Sequence, residues 1–283
     1  MAKILLAGEG WGAKAALHSL KITKIHQLFI LTNNEEWRDA LIQDGFLCVN
    51  SMEGRFDLII CAAWRPIIKR SFLASARVLN IHYTLLPAYR GMHGTVWAIL
   101  NNEPKLGFTI HRMNEFIDDG PIVYQYAIDN DFEKTATWYM EHFNQKVQEV
   151  LLQIVDGYLS GNIPEIPQDK SKASWVGRRK LKDCAIDFTR SLDYQKAFFR
   201  ALNPPYPYPF FILKNQIFEV HSAGFHHSSV VTDYGRILNI DDEGVWISCD
   251  KGYIICKKII EQDSGKAISY DYFKIGQFIE KLN

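Results

Sequence analysis

The chain carries the stretch NIHYTLLPAYRG at residues 80–91, and the stretch DDGPI follows at residues 118–122. Asn80 and His82 stand two positions apart in the apolar run of residues 78–82, which reads as a buried strand. Side chains at positions i and i+2 of a strand point to the same face, so we expect Asn80 and His82 to project side by side from its end. We expect Ile81 to face the core. An amide, an imidazole and the Asp118 carboxylate can act together on one carbonyl group.

Short apolar runs alternate with helical patterns through the first half of the chain. Four runs read as buried strands, at Lys3–Ala7, Gln27–Leu31, Asp57–Cys61 and Val78–His82. The segments between them have helical spacing, at Ala13–Leu20, Glu35–Ile42 and Arg65–Leu73. Such alternation implies right-handed crossovers and a parallel sheet, so the predicted fold class is α/β with a Rossmann-like parallel sheet.

A second strand pair and a long helix follow. The predicted strands are Lys105–Met113 and Pro121–Ile128, on either side of the Asp118 loop. Trp138–Leu159 is the longest predicted helix, because its apolar residues fall on one stripe.

A domain boundary is expected beyond that helix. Residues 161–174 are polar and broken by two prolines, which is typical of a surface linker. A helix pattern at 192–202 precedes short alternating runs that read as a small β unit. We therefore predict a catalytic domain over residues 1–190, and over residues 191–283 a helix followed by a smaller β-rich domain.

Composition narrows the class of protein. Apolar content of 47% and charged content of 23% are ordinary for a soluble globular protein. No run approaches the roughly 18 apolar residues that cross a bilayer, and no cleavable signal precedes the first strand pattern, so we expect a cytoplasmic protein without a membrane partner. The five cysteines include no Cys-x-x-Cys pair, which favours reduced thiols. Lys plus Arg and Asp plus Glu are both 32, and this balance argues against nucleic acid as a partner.

Two features invite a cofactor interpretation. Residues 8–13, GEGWGA, match a dinucleotide-binding fingerprint, but the second predicted strand ends in Thr32-Asn33-Asn34 where the fingerprint needs an acidic residue. A tight strand-to-helix turn explains the pattern equally well, and an anion bound there would be attracted by the helix amino terminus. The remaining candidates for metal ligands have spacings that match no tetrahedral site, so no metal is expected: His221, His226, His227, Cys249 and Cys256.

Prolines and aromatic residues alternate at 204–211. The prolines exclude a helix and favour an extended segment. Its rings either form a rigid joint between the domains or provide a platform on which a nucleobase stacks, and the two interpretations are compatible.

The two opening motifs are joined by further pieces, at residues 85–87 (LLP), 89–91 (YRG), 97–99 (WAI) and 107–111 (GFTIH). Together the string resembles the signature of the folate-dependent formyltransferases: Asn, one residue, His, then Leu-Leu-Pro and an aromatic-basic-Gly step, and later Asp-x-Gly-x-Ile. The resemblance covers about residues 1–190. A weaker similarity to the tRNA and sugar branches of the family continues through residues 200–204 into the β unit.

The resemblance implies transfer of a formyl group from N10-formyltetrahydrofolate, as cosubstrate, to an amine, without a metal. Asn80 would donate a hydrogen bond to the developing oxyanion. His82 would stabilise the same charge and accept a proton, since imidazole titrates near neutrality. Asp118 would hold the imidazole or an ordered water.

The resemblance also implies binding residues. A slot for the pterin would be built from the segment at 64–68, the Asp118 loop and a second wall, with these members: Trp64, Arg65, Ile67, Ile68, Ile117, Leu86 and Pro87. The expected contacts of the acceptor lie in the first strand-to-helix turn, after the Tyr-Arg step and in the proline-aromatic segment: Gly10, Trp11, Gly12, Arg90, Met92, His93, Tyr206 and Tyr208. Trp11, Tyr206 or Tyr208 would stack on a thymine.

The acceptor is inferred from departures within the motif. Tyr-Thr after His82, and Met92-His93 after the Arg-Gly step, resemble the sugar N-formyltransferases of bacterial surface-polysaccharide pathways. The leading acceptor is therefore a dTDP-linked amino-deoxysugar for O-antigen synthesis. Two enzyme alternatives stay open, a methionyl-tRNA formyltransferase and a formyltetrahydrofolate hydrolase, beside a non-catalytic nucleotide-binding module. A homodimer is compatible with the sequence, which does not decide the number of subunits.

Overall fold

The computed structural model describes residues 1–230 and 233–280, and the chain forms two compact units. The first unit contains Met1–Thr95, Pro104–Asp129 and Tyr139–Gly177. The second contains Val96–Glu103, Asn130–Trp138 and the chain from Arg178 onward. The units alternate along the chain instead of being separated by a single cut, so the predicted division at residue 190 stays a prediction.

Nine strands belong to the first unit, and they are β1 Lys3–Gly8, β2 Gln27–Leu31, β3 Leu47–Cys48, β4 Leu58–Ala62, β5 Val78–His82, β6 Arg90–Gly91, β7 Lys105–Arg112, β8 Ile122–Asp129 and β9 Trp175–Val176. Seven of them form one sheet in the order β3-β2-β1-β4-β5-β7-β8, and β6 pairs with β9 separately. The first five strands of the sheet run parallel, β7 runs antiparallel to β5, and β8 runs antiparallel to β7. The predicted α/β class with a mostly parallel sheet is confirmed.

The core of the first unit lies along β1 and β4. All five residues of β4 are buried, as are all residues of β1 except Lys3. Burial on both faces explains why these strands are continuous apolar runs in the sequence instead of alternating ones.

Six α-helices occur in the described residues, and they are α1 Gly10–Leu20, α2 Glu35–Gln43, α3 Arg70–Ser75, α4 Gly94–Leu100, α5 Ala136–Leu159 and α6 Leu192–Ala201. α2 begins where the dinucleotide fingerprint lacks its acidic residue. The Asn34 side chain accepts a hydrogen bond from the Trp37 N–H at 2.7 Å, and Glu35 and Glu36 occupy the first turn. The position therefore works as a helix N-cap.

The helix predicted at Arg65–Leu73 is wrong over its first half. Residues 65–69 are not helical, and α3 begins only at Arg70. Ile67 is 97% exposed, whereas Trp64 and Ile68 pack against the apolar cluster below the sheet. Two adjacent isoleucines that face opposite environments are typical of an extended chain, and Pro66 removes a backbone donor there.

The second unit contains a five-stranded antiparallel sheet. Its strands are β10 Phe210–Leu213, β11 Gln216–His227, β12 Ile237–Asp241, β13 Gly244–Cys249 and β14 Gly252–Glu261, in the order β10-β11-β14-β13-β12. The predicted β unit is thus present. No helix in the described ranges is both long and apolar enough to span a membrane.

Candidate active site

Asn80, His82 and Asp118 lie close together at the carboxyl end of β5. The Asn80 Nδ2 atom is 3.5 Å from Asp118 Oδ1, and the His82 Nδ1 atom is 3.6 Å from Asp118 Oδ2. Ile81 between them is 3% exposed and faces the core. The strand geometry expected from the sequence is therefore present, and the chain between β7 and β8 brings the carboxylate to it.

The contacts of His82 fix which nitrogen faces the site. Its Nε2 atom lies 3.0 Å from the Tyr89 carbonyl oxygen, which can only accept, so Nε2 carries the proton. In the neutral imidazole, Nδ1 then presents its lone pair toward Asp118. Burial lowers the pKa of His82 below its ordinary value, and His111 lowers it further, against the opposing effects of Asp118 and the Tyr89 carbonyl.

Asp118 is ionised throughout the neutral range. Burial alone would raise the pKa of this carboxyl group, but a hydrogen bond from His111, the charges of the two imidazoles and the Gly91 N–H lower it to about 2. The Gly91 N–H donates to Asp118 Oδ2 at 2.8 Å. The backbone of Asp118 has φ of 49°, a left-handed conformation that surrounding contacts must hold in place.

His111 is a fourth member of this cluster, and no role for it was predicted from the sequence. Its Nε2 atom lies 3.2 Å from Asn80 Nδ2 and 3.4 Å from Asp118 Oδ1, because His111 pairs with Asn80 in the register of β5 and β7. A signal existed in the sequence: Thr109 and His111 are polar residues at alternate positions within a strand whose other interior residues, at 106–108 and 110, are apolar or glycine.

The Arg90 side chain is buried and bonded to other residues of the first unit. Its side chain is 3% exposed, with Nη1 2.6 Å from Asp119 Oδ1, and with Nη2 and Nε donating to Gln168 Oε1 at 2.7 Å and 3.2 Å. The guanidinium also lies 5.4 Å from the centre of the Trp175 ring. These contacts hold the Arg90 side chain in place, and its role in binding the acceptor stays a prediction.

Six of the seven residues predicted for the pterin follow the carboxyl ends of β4 and β5, and Ile117 lies between β7 and β8. Arg65 pairs with Glu9 at 3.1 Å, and Arg70 pairs with Glu115 while its guanidinium lies 5.8 Å from the Phe116 ring centre. These contacts connect the segment at 64–70 with both the first strand-to-helix turn and the loop that leads to Asp118.

Two groups can be distinguished among those predicted residues. Ile67 and Ile117 are 97% and 69% exposed, so they offer apolar surface for a ligand. Leu86 is buried, and its main chain bonds to Thr109 and Gln125, while Trp64 and Ile68 face the core cluster. Pro87 is partly buried. The roles of all seven residues stay predictions.

A cavity of about 350 Å³ lies beside the Asp118 loop. It is lined by α3, including Arg70, by residues on both sides of the loop, including Arg112 and Glu115, and by Glu165. None of the predicted catalytic or pterin-binding residues lines it, so the cavity is separate from the cluster around Asp118.

The predicted acceptor residues are distributed over both units. In the first unit Gly10 has φ of 68°, Trp11 is 38% exposed, and a Cβ on Gly12 would lie 2.9 Å from the Tyr83 hydroxyl. A Cβ on Gly8 would lie 1.9 Å from the Ala62 carbonyl oxygen. Close packing thus accounts for the small residues at 8 and 12 without a dinucleotide.

Met92 is 40% exposed, and His93 has φ of 61°. Tyr206 and Tyr208 belong to the second unit and are partly buried. Tyr208 stacks on His221 with 3.7 Å between ring centres, so one face of its ring is covered. Throughout the described part of the chain, no group of three or more His, Cys, Asp or Glu side chains is arranged to hold a metal ion.

Comparison with known proteins identifies the family to which the chain is similar. The formyl transferase model matches residues 14–155, and the model for the formyl transferase C-terminal domain matches residues 179–277. The chain is 25% identical over 205 residues to the methionyl-tRNA formyltransferase of Clostridium novyi, an alignment that covers 72% of this chain and 66% of that protein.

Two solved structures share the fold. HypX from Aquifex aeolicus superposes with a TM-score of 0.67 at 17% identity, covering 92% of this chain but only 44% of HypX. WlaRD, a sugar 3N-formyl transferase crystallised in the presence of dTDP and 5-N-formyl-THF, superposes with a TM-score of 0.68 at 20% identity, covering 93% of this chain and 98% of WlaRD.

The chain thus spans less than half of HypX and 66% of the Clostridium protein, but nearly all of WlaRD. The two family models together account for most of the sequence, one in each half. The motif that the sequence analysis identified lies inside the first of these matches. The protein therefore belongs to the formyl transferase family.

Proposed function

We propose that this protein is an N-formyltransferase that moves the formyl group of N10-formyltetrahydrofolate to the amine of a dTDP-linked amino-deoxysugar. The amine would be on a 3- or 4-amino-dideoxyhexose destined for surface polysaccharide such as O-antigen. The observation that carries the proposal is the convergence of Asn80, His82 and Asp118 at the carboxyl edge of the sheet. The Asp118 carboxylate lies 3.5 Å from Asn80 Nδ2 and 3.6 Å from His82 Nδ1.

The residues divide the chemistry between them. The amine nitrogen bonds to the formyl carbon while His82 Nδ1, whose lone pair is available, accepts the proton that leaves the amine. The bond from the formyl carbon to N10 then breaks, and the same proton passes from His82 to N10. Asp118 lies beside Nδ1 and stabilises the imidazolium that forms between these two steps.

Asn80 supplies the hydrogen bond to the formyl oxygen as negative charge develops on it. Its contact to Asp118 at 3.5 Å is at the outer limit of a hydrogen bond, so this N–H can turn to a substrate oxygen at small cost. Its other contact, to His111 Nε2 at 3.2 Å, keeps the amide oriented.

The proposed site for the formyl donor includes exposed apolar residues on the segment after β4 and on the loop that leads to Asp118. Ile67, Phe116 and Ile117 are 97%, 57% and 69% exposed on two segments that Arg70 and Glu115 connect. Apolar side chains beside a few convergent polar groups are the usual lining of a site for an aromatic cosubstrate. The presence of 5-N-formyl-THF in the WlaRD structure supports the same choice of donor.

The experiment is a formyl-transfer assay with mass detection. The protein is incubated with N10-formyltetrahydrofolate and a panel of dTDP- and UDP-linked amino sugars, and each sugar is examined for the mass gain of one formyl group. We expect a dTDP-linked sugar to be formylated, and the His82→Ala variant to leave it unchanged. Release of formate in the absence of any amine would identify a formyltetrahydrofolate hydrolase instead, and would refute the proposal.

A methionyl-tRNA formyltransferase is the second candidate, favoured by the 25% identity to the Clostridium enzyme. The balance of 32 basic and 32 acidic residues argues against it, because tRNA binding draws much of its affinity from phosphate contacts. Methionyl-tRNA in the same acceptor panel decides between the two, since only one acceptor should gain formyl.

A further inference from the structure

The segment at 166–176, called the strap here, contacts both loops that meet at the catalytic cluster. Ile166 pairs with Ile122, just after the Asp118 turn, through hydrogen bonds of 2.7 Å and 2.8 Å. At the other end of the strap, the Ser174 carbonyl accepts from the Arg90 N–H at 2.8 Å, and the Ser174 hydroxyl accepts from the Tyr89 N–H at 2.9 Å. The segment that reads as a linker therefore bridges two catalytic loops.

Gln168 occupies the middle of this bridge, and its amide makes four hydrogen bonds. Its Nε2 atom donates to the Asp118 carbonyl at 2.8 Å and to the Gly120 carbonyl at 2.7 Å. Its Oε1 atom accepts from Nη2 and Nε of Arg90. A primary amide has two N–H donors and two lone pairs, so the whole capacity of the side chain is used.

The turn that Gln168 holds needs external support. Asp118 has φ of 49°, which costs an ordinary L residue about 1–2 kcal/mol relative to a right-handed conformation. The bonds from Gln168 bind the turn by its carbonyl groups and use neither carboxylate oxygen of Asp118. The carboxylate is thereby left to receive the Gly91 N–H and to face His82 and His111.

We propose that Gln168 is a positioning residue for formyl transfer, which sets the Asp118 carboxylate against His82 through its two bonds to the Asp118 turn. This inference rests on the proposed function. Gln168 acts through Asp118 and has no contact with the reacting atoms in this assignment. Arg90 completes the link, because it orients the Gln168 amide while its own main chain belongs to the loop that binds His82 and Asp118.

Two variants separate the two halves of the Gln168 amide. Gln168→Glu keeps an oxygen for Arg90 but removes both donors to the Asp118 turn. Gln168→Met keeps the approximate size, adds no charge and removes every hydrogen bond. The matched control is Gln153→Glu, the same change at an exposed glutamine of α5 in the first unit.

The kinetic measurement compares the effect of each substitution on kcat with its effect on KM. We expect kcat to fall about tenfold to a hundredfold in both Gln168 variants, because a misplacement of about 1 Å costs on that scale, while KM for the formyl donor stays within about twofold. Rates are normalised to the folded fraction measured by circular dichroism. Wild-type kcat in Gln168→Glu, or a loss that only follows the folded fraction, overturns the proposal.

The second readout needs no activity and therefore survives a failure of the proposed function. His82 is faced by Asp118, His111 and the Tyr89 carbonyl; the Asp118 charge and the Tyr89 carbonyl raise its pKa, and His111 lowers it. We expect NMR titration of the His82 ring protons, assigned by their absence in His82→Asn, to give a lower pKa in Gln168→Met than in the wild type. An unchanged His82 titration overturns the proposal, whether or not the protein formylates any acceptor.

Discussion

Burial makes His82 suitable as a proton acceptor. The ring is 8% exposed, and this desolvation holds its pKa below the ordinary value near 6.5. The imidazole is thus neutral at neutral pH, with its proton on Nε2 bound to the Tyr89 carbonyl and its lone pair on Nδ1. Asp118 is already ionised there, so a proton arriving at Nδ1 meets a negative charge at 3.6 Å.

The pH dependence of kcat/KM tests this arrangement. In the wild type, activity should fall only as pH drops through the lowered pKa of His82, below about 6.5. In Asp118→Asn the carboxylate that raises this pKa is lost, so the acidic limb should move to lower pH. The value of kcat/KM on its plateau above this limb should fall about a hundred- to ten-thousand-fold, because the His82 imidazolium loses its partner. The control is Asp129→Asn, where the carboxylate is exposed and paired with Lys105.

An acidic limb of the kcat/KM profile that moves to higher pH in Asp118→Asn would contradict the role assigned to this carboxylate. An unchanged kcat/KM plateau would contradict it as well. The sign is informative because a purely structural effect of the substitution would lower the plateau without a defined displacement of the limb.

Asn80 tests the stabilisation of the formyl oxygen. Removing one oxyanion donor raises the barrier by roughly 2.7–4 kcal/mol, so Asn80→Ala should lower kcat about a hundred- to a thousandfold. Thermal stability should change little, because the side chain is only partly buried. The measurement is single-turnover transfer beside a melting curve, with the exposed Asn162→Ala as control. A kcat within tenfold of the wild type would remove Asn80 from the mechanism.

The pairing of β5 with β7 shows what a sequence pattern can and cannot reveal. The two-residue period places Asn80 and His82 on one face, and the structure has them there. The position of His111 depends on the antiparallel register, which sets Asn80 opposite His111 and His82 opposite Thr109. The periodicity of one strand does not show which residues of a second strand lie opposite it, so the position of His111 beside Asn80 could not be predicted. Gln168 was missed for a similar reason, because a polar, proline-broken segment looks the same whether or not it crosses a site.

The pairing of β6 with β9 can be tested with glycines. Gly91 has φ of 105°, and a Cβ there would lie 2.3 Å from the Val176 carbonyl oxygen on the strap. Gly161 also has positive φ, 76°, but a Cβ there meets no atom within 4 Å. Gly161→Ala should therefore cost only the conformational term of about 1–2 kcal/mol and leave kcat unchanged.

Gly91→Ala should be more destabilising than Gly161→Ala and should also lower kcat by about a hundredfold, because the strap must move away and the Gly91 N–H leaves Asp118. Chemical unfolding and formyl-transfer rates measured on both variants give the comparison. Equal unfolding free energies in the two variants would show that the close approach of β6 and β9 is unimportant.

The types of element along the whole chain could be predicted from the sequence, but the division of the chain into two units could not. The sequence alone predicts the α/β pattern, the later β unit and the formyltransferase motif. The second unit, however, also includes Val96–Glu103 and Asn130–Trp138 from the first half of the chain. Those segments have ordinary helix and loop composition, and membership of a unit depends on long-range contacts that leave no local signature.

The charge balance of the molecule separates the two acceptor classes. A protein that neutralises 6–10 phosphates loses about 10³–10⁵ in affinity between 50 and 200 mM salt, because counterions released on binding oppose it. A nucleotide sugar carries only a diphosphate, so its interaction should be screened far less. With 32 basic and 32 acidic residues, no general basic excess adds to this attraction.

We therefore expect KM for the dTDP-linked amino sugar to rise less than about tenfold between 50 and 200 mM KCl. The measurement is initial rate against acceptor concentration at both salt levels, with the formyl donor saturating. KM for the donor at the same two salt levels is the control for a general effect of salt on the fold. If the sugar is inert and methionyl-tRNA is formylated with a KM that rises steeply with salt, tRNA is the acceptor, and the overall charge balance conceals a basic surface on the folded protein.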